Sequence, residues 1–457
     1  METDTITPSV MRYSDQYPMA APVMDLNYSV CIPSNGGSFT QNQEIRIPFN
    51  VPADCFVDTK RAYLKMRITN NSAADTWYLD PFAGVAGFID TFRVISGTGA
   101  LLEEIQHYGA LAAVMNSHQS PARVEAVGNI QEGLSPAPLS VEPVSVAAGV
   151  AGAQTDRVGL SAGIAGTFTH RPISAVFNAD KYMPFGYTQG SSYVSLTLAA
   201  GSTMAMCRSG AAVKNGAFTI DNVELHLPIL RPGNEFAQNF RMLLASGMPI
   251  NIHSVGFQNS QQTIASSAAA GLATLTFSTR KRSVKSLMTL FRINEQVSAG
   301  INDSLSSRKT CGITEYQYSV GGVRIPSQNI KAAGIKSNSD GDGADIGEVL
   351  ANTQLALGHY SSDLRSLCAD AKVYYMAAGA TNDKVLSSRA VFALDLETYG
   401  EGLAGKNLSG QGLPLVLHAQ TGANAAQSVG AVLADLYVIH DIIFQLDGVS
   451  GTLTASS

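Results

Sequence analysis

A chain of 457 residues exceeds one ordinary domain and predicts two or three, each large enough for a substantial core. Only 14% of the residues are charged and the formal charge is -6, against about 25% charged in an average soluble protein. That balance argues against a DNA-wrapping or membrane-surface protein built on a basic face. Such a charge-poor exterior is one that neighbouring subunits cover or that Ser, Thr, Asn and Gln supply.

The cysteines Cys31, Cys55, Cys207, Cys311 and Cys368 are odd in number and far apart. They match neither a disulfide framework nor a C-x-x-C metal site and read as reduced thiols. No secretory pattern opens the chain, and no apolar run approaches the ~18 residues of a spanning helix. A soluble product made in the cytosol is expected.

Residues 1–40 lack sustained periodicity and are rich in Pro, Ser, Asn and Gly, which predicts an extended arm. Alternation begins in EIRIPFNV, with Ile45, Ile47 and Phe49 on one face, and continues in RAYLKMRITNN, with Tyr63, Leu64, Met66 and Ile68. The stretch Phe88 to Ser117 then packs a strand (Phe92, Val94), a turn at Gly97 and Gly99, a second strand from Leu101, and a short helix. In that helix Ile105, Tyr108, Leu111, Ala112 and Met115 recur three to four apart and form one apolar face. The segment 121–169 is long and dominated by Ala, Gly, Val, Pro and Ser, too apolar for a solvated linker, and predicts an ordered projection.

Strand signals resume at 173–178 (ISAVFN), 191–200 and 218–230, where Val223, Leu225, Leu227 and Ile229 share a face. Pro232, Gly233 and Asn234 mark a junction, and 236–247 reads as a connecting helix ending at Gly247. The second half predicts strands at 251–258, 272–279 and 286–293, then a hairpin over 315–326 turning at Gly321-Gly322. A helix follows, with Asp345 as N-cap, Glu348 three residues on, and Ile346, Val349, Leu350 and Leu357 on one side. Strands return at 389–396, 413–420 and in the closing LYVIHDIIFQL and GTLTA runs.

The two halves run in parallel: ISAVFNADKYMPFG, SSYVSLTLAA and IDNVELHLPIL answer SRAVFALDLETYGEG, LPLVLHAQ and LADLYVIHDIIFQLDG. Two all-β units, each of about eight strands with one helix inserted midway, predict two tandem eight-stranded jelly rolls. The expected divisions are an arm at 1–40, a first roll at 41–232 with an insertion at about 121–169, and a second at 248–457 with an insertion at about 327–385.

The strand, Gly turn and short helix of Gly99-Ala-Leu-Leu-Glu-Glu-Ile-Gln-His-Tyr108-Gly-Ala-Leu111 resemble the first jelly roll of double jelly-roll major capsid proteins. These coat tailless icosahedral double-stranded DNA viruses: adenovirus (its hexon), virophages, polinton-like viruses and large eukaryotic viruses. The likeness continues at Lys181-Tyr-Met-Pro-Phe185, Arg282-Ser-Val-Lys-Ser-Leu287, Tyr318-Ser-Val-Gly-Gly-Val-Arg-Ile-Pro326 and Tyr437-Val-Ile-His-Asp441, covering most of 40–455. It implies a structural subunit that is no enzyme and has no cofactor, forming a homotrimeric, pseudo-hexagonal capsomer in the virion. Partners implied are further copies, minor capsid and penton proteins, and an internal membrane reached by the arm, without sequence-specific nucleic-acid binding. A β-sandwich that binds a receptor or carbohydrate shares the strand pattern; it predicts exposed aromatics on one loop cluster, and the single tryptophan, Trp77, argues against it.

Motifs that elsewhere carry chemistry find little context here, and no catalytic, cofactor or metal residue is assigned. Gly159-Leu-Ser161-Ala-Gly163 fits G-x-S-x-G, but its Ala-Gly flanks do not predict the strand and helix that hold a nucleophile elbow. Asn338, Asp340, Asp342 and Gly343 start like a calcium loop, yet the twelfth position is Val349, and Asp345 is better placed as a helix cap. Arg280-Lys281-Arg282 with Lys285 is a basic cluster between two predicted strands, read as a solvated turn or an inter-subunit ion pair. Histidines such as His107, His118, His253 and His440 form no ligand spacing and read as ordinary strand or helix residues.

Overall fold

The computed structural model describes residues 25–73, 76–135, 158–200, 207–208, 217–264, 271–293, 305, 308, 313–332, 346–368, 390–397, 403–410, 414–421 and 432–457. Among the described residues, eight strands of six or more residues build the first half: β1 (Asp25–Cys31), β2 (Glu44–Phe49), β3 (Tyr63–Asn70), β4 (Ile89–Ile95), β5 (Leu101–Gln106), β6 (Ala165–His170), β7 (Ser192–Leu198) and β8 (Phe218–Arg231). They form two antiparallel sheets, ordered β1-β8-β3-β6 and β2-β7-β4-β5. The second half repeats this with β9 (Ile250–Ile264), β10 (Gly271–Phe277), β11 (Val284–Ile293), β12 (Ile313–Val320), β13 (Val323–Lys331), β14 (Phe392–Asp395), β15 (Leu415–Thr421) and β16 (Val432–Leu446). Its sheets run β9-β16-β11-β14 and β10-β15-β12-β13. Adding eight to each label of the first half therefore reproduces the second, so both are jelly rolls of one topology.

Period-2 patterning explains the sandwiches. In β2 Ile45, Ile47 and Phe49 are buried, and in β3 Leu64, Met66 and Ile68 are, each alternating with more accessible residues. Pro48 is tolerated because β2 is an edge strand. Between β12 and β13 both turn residues, Gly321 (φ 58°) and Gly322 (φ 83°), are left-handed, as a two-residue hairpin turn requires. Gly97 allows no side chain at all, since a Cβ there would lie 2.1 Å from the Gln189 carbonyl oxygen.

The helices are α1 (Tyr108–Ser117), the inter-roll α2 (Asn234–Ala245) and α3 (Ile346–Gly358). Both α1 and α3 sit between the sixth strand of their roll and the one before it, so the midway insertion is at the same place in each. The expected α2 is present, followed by Gly247 at φ +74°. Asp345 lies outside the described residues, and Glu348 instead is seen accepting the Lys331 backbone N–H at 3.2 Å.

Four sequence expectations are corrected. The arm does not stay outside the roll: Asp25–Cys31 is β1, hydrogen-bonded to the end of β8 from Asp25↔Arg231 to Cys31↔Leu225. The projection at 121–169 includes β6, which pairs with β3 inside the first roll, while Pro121–Glu132 is helical. ISAVFN is no strand: its Ser174 hydroxyl and Ala175 N–H bind the Glu103 carboxylate instead of a ladder, and Val176–Asn178 forms a 3-10 turn. The counterpart of the second-half β14 is therefore β6, one element earlier than the sequence match placed it. Finally, Ile105 is the partner of Phe92 in the β4–β5 ladder, and α1 is buried on every side rather than along one face.

The chain runs alternately between two ends of each sandwich. The connections 107–164 and 332–391 leave and re-enter at the same end, called distal here. The basal end carries the short turns 96–100, 278–283 and 321–322, the start of β1, α2 and the 447–452 loop. Phe92, fully buried, stacks on Tyr108 at 5.2 Å and meets Phe177 edge-on at 6.0 Å. Phe92→Ala is expected to cost about 3–5 kcal/mol in denaturant unfolding, the range for a buried aromatic truncation.

Candidate assembly surfaces

The rolls pack against each other side by side with the same end up. At the base Gln189 N–H donates to the Gly451 carbonyl at 2.9 Å, and toward the distal end the Tyr437 hydroxyl donates to the His107 carbonyl at 2.8 Å. Tyr437, Ile439, Met288 and Leu290 of the second roll are fully buried in one cluster with the first roll's core, while Leu436, Val438, Leu287 and Phe291 fill the second roll's own core. The sheet β9-β16-β11-β14 is thus buried on both faces.

Strand β9 lies in the cleft between β5 and the segment 173–180. Gly256 makes this possible: a Cβ there would lie 3.0 Å from Glu103 Oε1, 3.2 Å from Ala175 Cβ and 2.3 Å from Ile442 Cδ1. Ser254 Oγ donates to the Ala175 carbonyl at 2.6 Å, and Asp180 N–H to the His253 carbonyl at 3.2 Å. Gln258 Oε1 and Asn259 Nδ2 of β9 are buried without a hydrogen-bond partner, whereas other buried polar groups nearby are satisfied. The Tyr108 hydroxyl, for example, lies 2.7 Å from His170 Nε2 and accepts the Ile173 N–H, while His170 Nδ1 meets Glu132 at 3.0 Å.

Ion pairs lie at and beside this contact, and among those named here His253–Asp180 crosses between the rolls. His253 bridges Asp441 (2.7 Å) and Asp180 (3.0 Å), Lys285 bridges Glu397 (3.1 Å) and Asp441 (3.4 Å), and His359 bridges Asp395 (2.8 Å) and Glu397 (2.9 Å). The Asp441 hydrogen bond, with Asp180, raises His253 above the usual imidazole range. Burial would push Asp441 up, but the bonds from His253 and Ser283 and the Lys285 charge hold its carboxyl low. Arg292 and Asp435 form a further, buried pair. Burial drives His118 down to about 4 and, with the Lys281 charge, His440 to about 3, so both are neutral at pH 7.

The residues singled out by motif do not converge. Ser161 is exposed in the turn after the short strand Gly159–Leu160, and no helix follows; the next element is β6. Asn338, Asp340, Asp342 and Gly343 lie outside the described residues, and among the described residues no three His, Cys, Asp or Glu side chains are grouped as metal ligands. The basic cluster divides: Arg280 and Arg282 are exposed on the basal turn, Lys281 Nζ donates to Ser457 Oγ at 2.7 Å, and Lys285 is buried in its ion pairs. Trp77 is buried in a small sheet with Gly159–Leu160 and Cys207–Arg208. Cys31, Cys55 and Cys368 are buried free thiols.

Sequence reasoning missed His253, Glu103 and the inter-roll network because their partners are distant in the chain. It also missed the exposed apolar residues of β1: Leu26, Tyr28 and Val30, with Ile32 just beyond, are 40–66% exposed on a free sheet edge. Their alternation in LNYSV was the available signal. Further exposed apolar residues, Phe236, Met242, Leu243, Met248 and Val449, gather at the base.

No protein-family model and no curated protein matches this sequence. Solved structures do. The capsid protein VP54 of PBCV-1, fitted into a reconstruction of the virophage Sputnik, aligns over 96% of this chain and 98% of its own, with TM-score 0.61 and 10% identity. The chain is a double jelly roll. The Faustovirus major capsid protein aligns over 97% of this chain and 92% of its own (TM-score 0.53, 10% identity), and the Sputnik virophage structure over 100% and 93% (0.53, 11%). A double jelly roll is the fold predicted from the order of short motifs, and at this identity it is the sandwich topology that is shared.

Glu103 gives the inter-roll contact a pH dependence. Burial outweighs its bonds from Ser174 and Ala175 and raises its carboxyl from 4.5 to about 7, a difference worth on the order of 3 kcal/mol. The folded state binds the extra proton, so this contribution is complete below pH 4.5 and is lost as pH rises through 7. Glu103→Gln is expected to leave the melting temperature unchanged at pH 5 and raise it at pH 8; equal melting shifts at both values would refute the assignment.

Proposed function

We propose that this protein is the major capsid protein of an icosahedral virus and that three copies form a pseudo-hexagonal capsomer located in the virion. The observation that carries this reading is the repeated topology: two jelly rolls in one chain, side by side and the same way up. Three such chains in a ring present six near-equivalent sandwiches, so a threefold object fills a sixfold lattice position. Function then resides in buried walls between copies, as the low charge content also favours. The distal connections 107–164 and 332–391 make the capsomer's outward end. The arm, which meets β1 at the base, points to the inner side of the shell, toward minor capsid and penton proteins or an internal membrane.

The carbohydrate-binding alternative needs aromatics clustered on loops. Among the described residues Trp77 is buried, and the exposed aromatics Tyr28, Tyr182 and Phe236 belong to the first edge strand and the base. Light scattering on the purified chain is expected to give about three times 48.1 kDa, stable to dilution, and negative-stain images hexagonal blocks. A monomer at all concentrations would refute the proposal.

A further inference from the structure

The contact between rolls within one chain specifies the contact between chains. Inside the chain, the edge strand β9 enters the flank of the first roll, bounded by β5 and by the segment after β6 (Gly256 against Glu103, Ser254 against Ala175, His253 against Asp180). Under the equivalence of the two rolls, β9 corresponds to β1, β5 to β13, and the segment after β6 to that after β14. These are the members of the equivalent set that stand uncovered.

Ser254, Val255, Gly256 and Phe257 of β9 are all buried, whereas β1 exposes Tyr28 by 59% and Val30 by 51%. Leu102, Glu103 and Ile105 of β5 are buried, whereas β13 exposes Val323 by 63%, together with Arg324 and Ser327–Asn329. The first and third strand residues after the glycine turn, Leu101 and Glu103 in the first roll, are Val323 and Ile325 in the second. The stretch after β14 exposes Leu403 by 50%. A flat edge strand with apolar residues at every second position invites pairing with another chain unless it is covered.

From this we infer that β1 of each copy enters the flank of the second roll of the next copy, between β13 and residues 403–410, and that Leu26, Tyr28, Val30 and Ile32 form the apolar heart of that contact. The occupant is a second copy because the strands that bound the first roll's flank, and that already accept a strand of this type, recur in the second by topology. The contact is heterologous, β1 of one copy to β13 of the next, and three copies close the ring. The inference rests on the trimeric capsomer reading and makes it specific.

Two measurements on the full chain test it. In the first, Tyr28→Glu with Val30→Glu is compared with wild type and with Thr274→Glu, on an exposed face of β10, by light scattering and circular dichroism. Wild type and Thr274→Glu are expected as trimers, and the β1 variant as a folded monomer with at least a tenfold weaker association. In the second, benzoylphenylalanine, a larger aromatic residue, replaces the exposed Tyr28; after irradiation, cross-links are expected between position 28 of one copy and 323–331 or 403–410 of another. A β1 variant that remains trimeric, or cross-links that map elsewhere, overturns this contact and leaves the capsomer standing. A monomeric wild type overturns both. If the glutamate variant does not fold, the cross-link alone decides.

Discussion

Burial of β9 in the flank of the first roll is the constraint on which the rest of the molecule depends. A jelly roll is open along its flank, where core side chains and the ends of two sheets meet water. In this chain the first roll's flank is closed by a strand of the second, and that strand gains a cover on its otherwise wet face. One contact thus completes two cores, which is why Tyr437, Ile439 and Met288 cluster with the first roll and not with their own. Apolar burial provides the driving force. The hydrogen bonds of Ser254, Asp180 and Tyr437 fix the register, because a slip would strand buried polar atoms.

The polar network is unusual for its histidines. Side chains that look unremarkable along the sequence divide into two types once the chain folds. His253 and His359 each join two carboxylates, while His118 and His440 are neutral and enclosed. Glu103, raised to about 7, and the enclosed imidazoles oppose each other as the pH falls below neutral: acidification favours the carboxyl and penalises the imidazoles.

Much of the architecture was legible because alternation is a local signal. Strands such as β2, β3, β7 and β8 and the Gly321-Gly322 hairpin follow from residues that are neighbours in sequence, and so does the α2 stop at Gly247. Errors arose where tertiary contacts replaced local ones. ISAVF is as apolar as any strand, but Glu103, far away in sequence, captures its polar groups. LNYSV alternates, but its apolar side faces outward, so a reading that seeks core residues passes it over. With β6 also read as part of a projection, the first roll was assigned one segment that is no strand and denied two that are. Of the candidate surfaces, the ion pairs were not legible at all, since His253 meets Asp441 only through the β9–β16 pairing and Asp180 only through the docking of the two rolls.

Gly256 gives the arrangement a further property. With only a hydrogen atom between β9 and the Glu103 carboxylate, the separation and tilt of the two halves are gauged by backbone rather than by a side chain able to change rotamer. Gly256 therefore acts as a spacer of minimal thickness between the two rolls, and any larger residue there would push β9 away from Glu103 and Ala175 and change how one roll leans on the other.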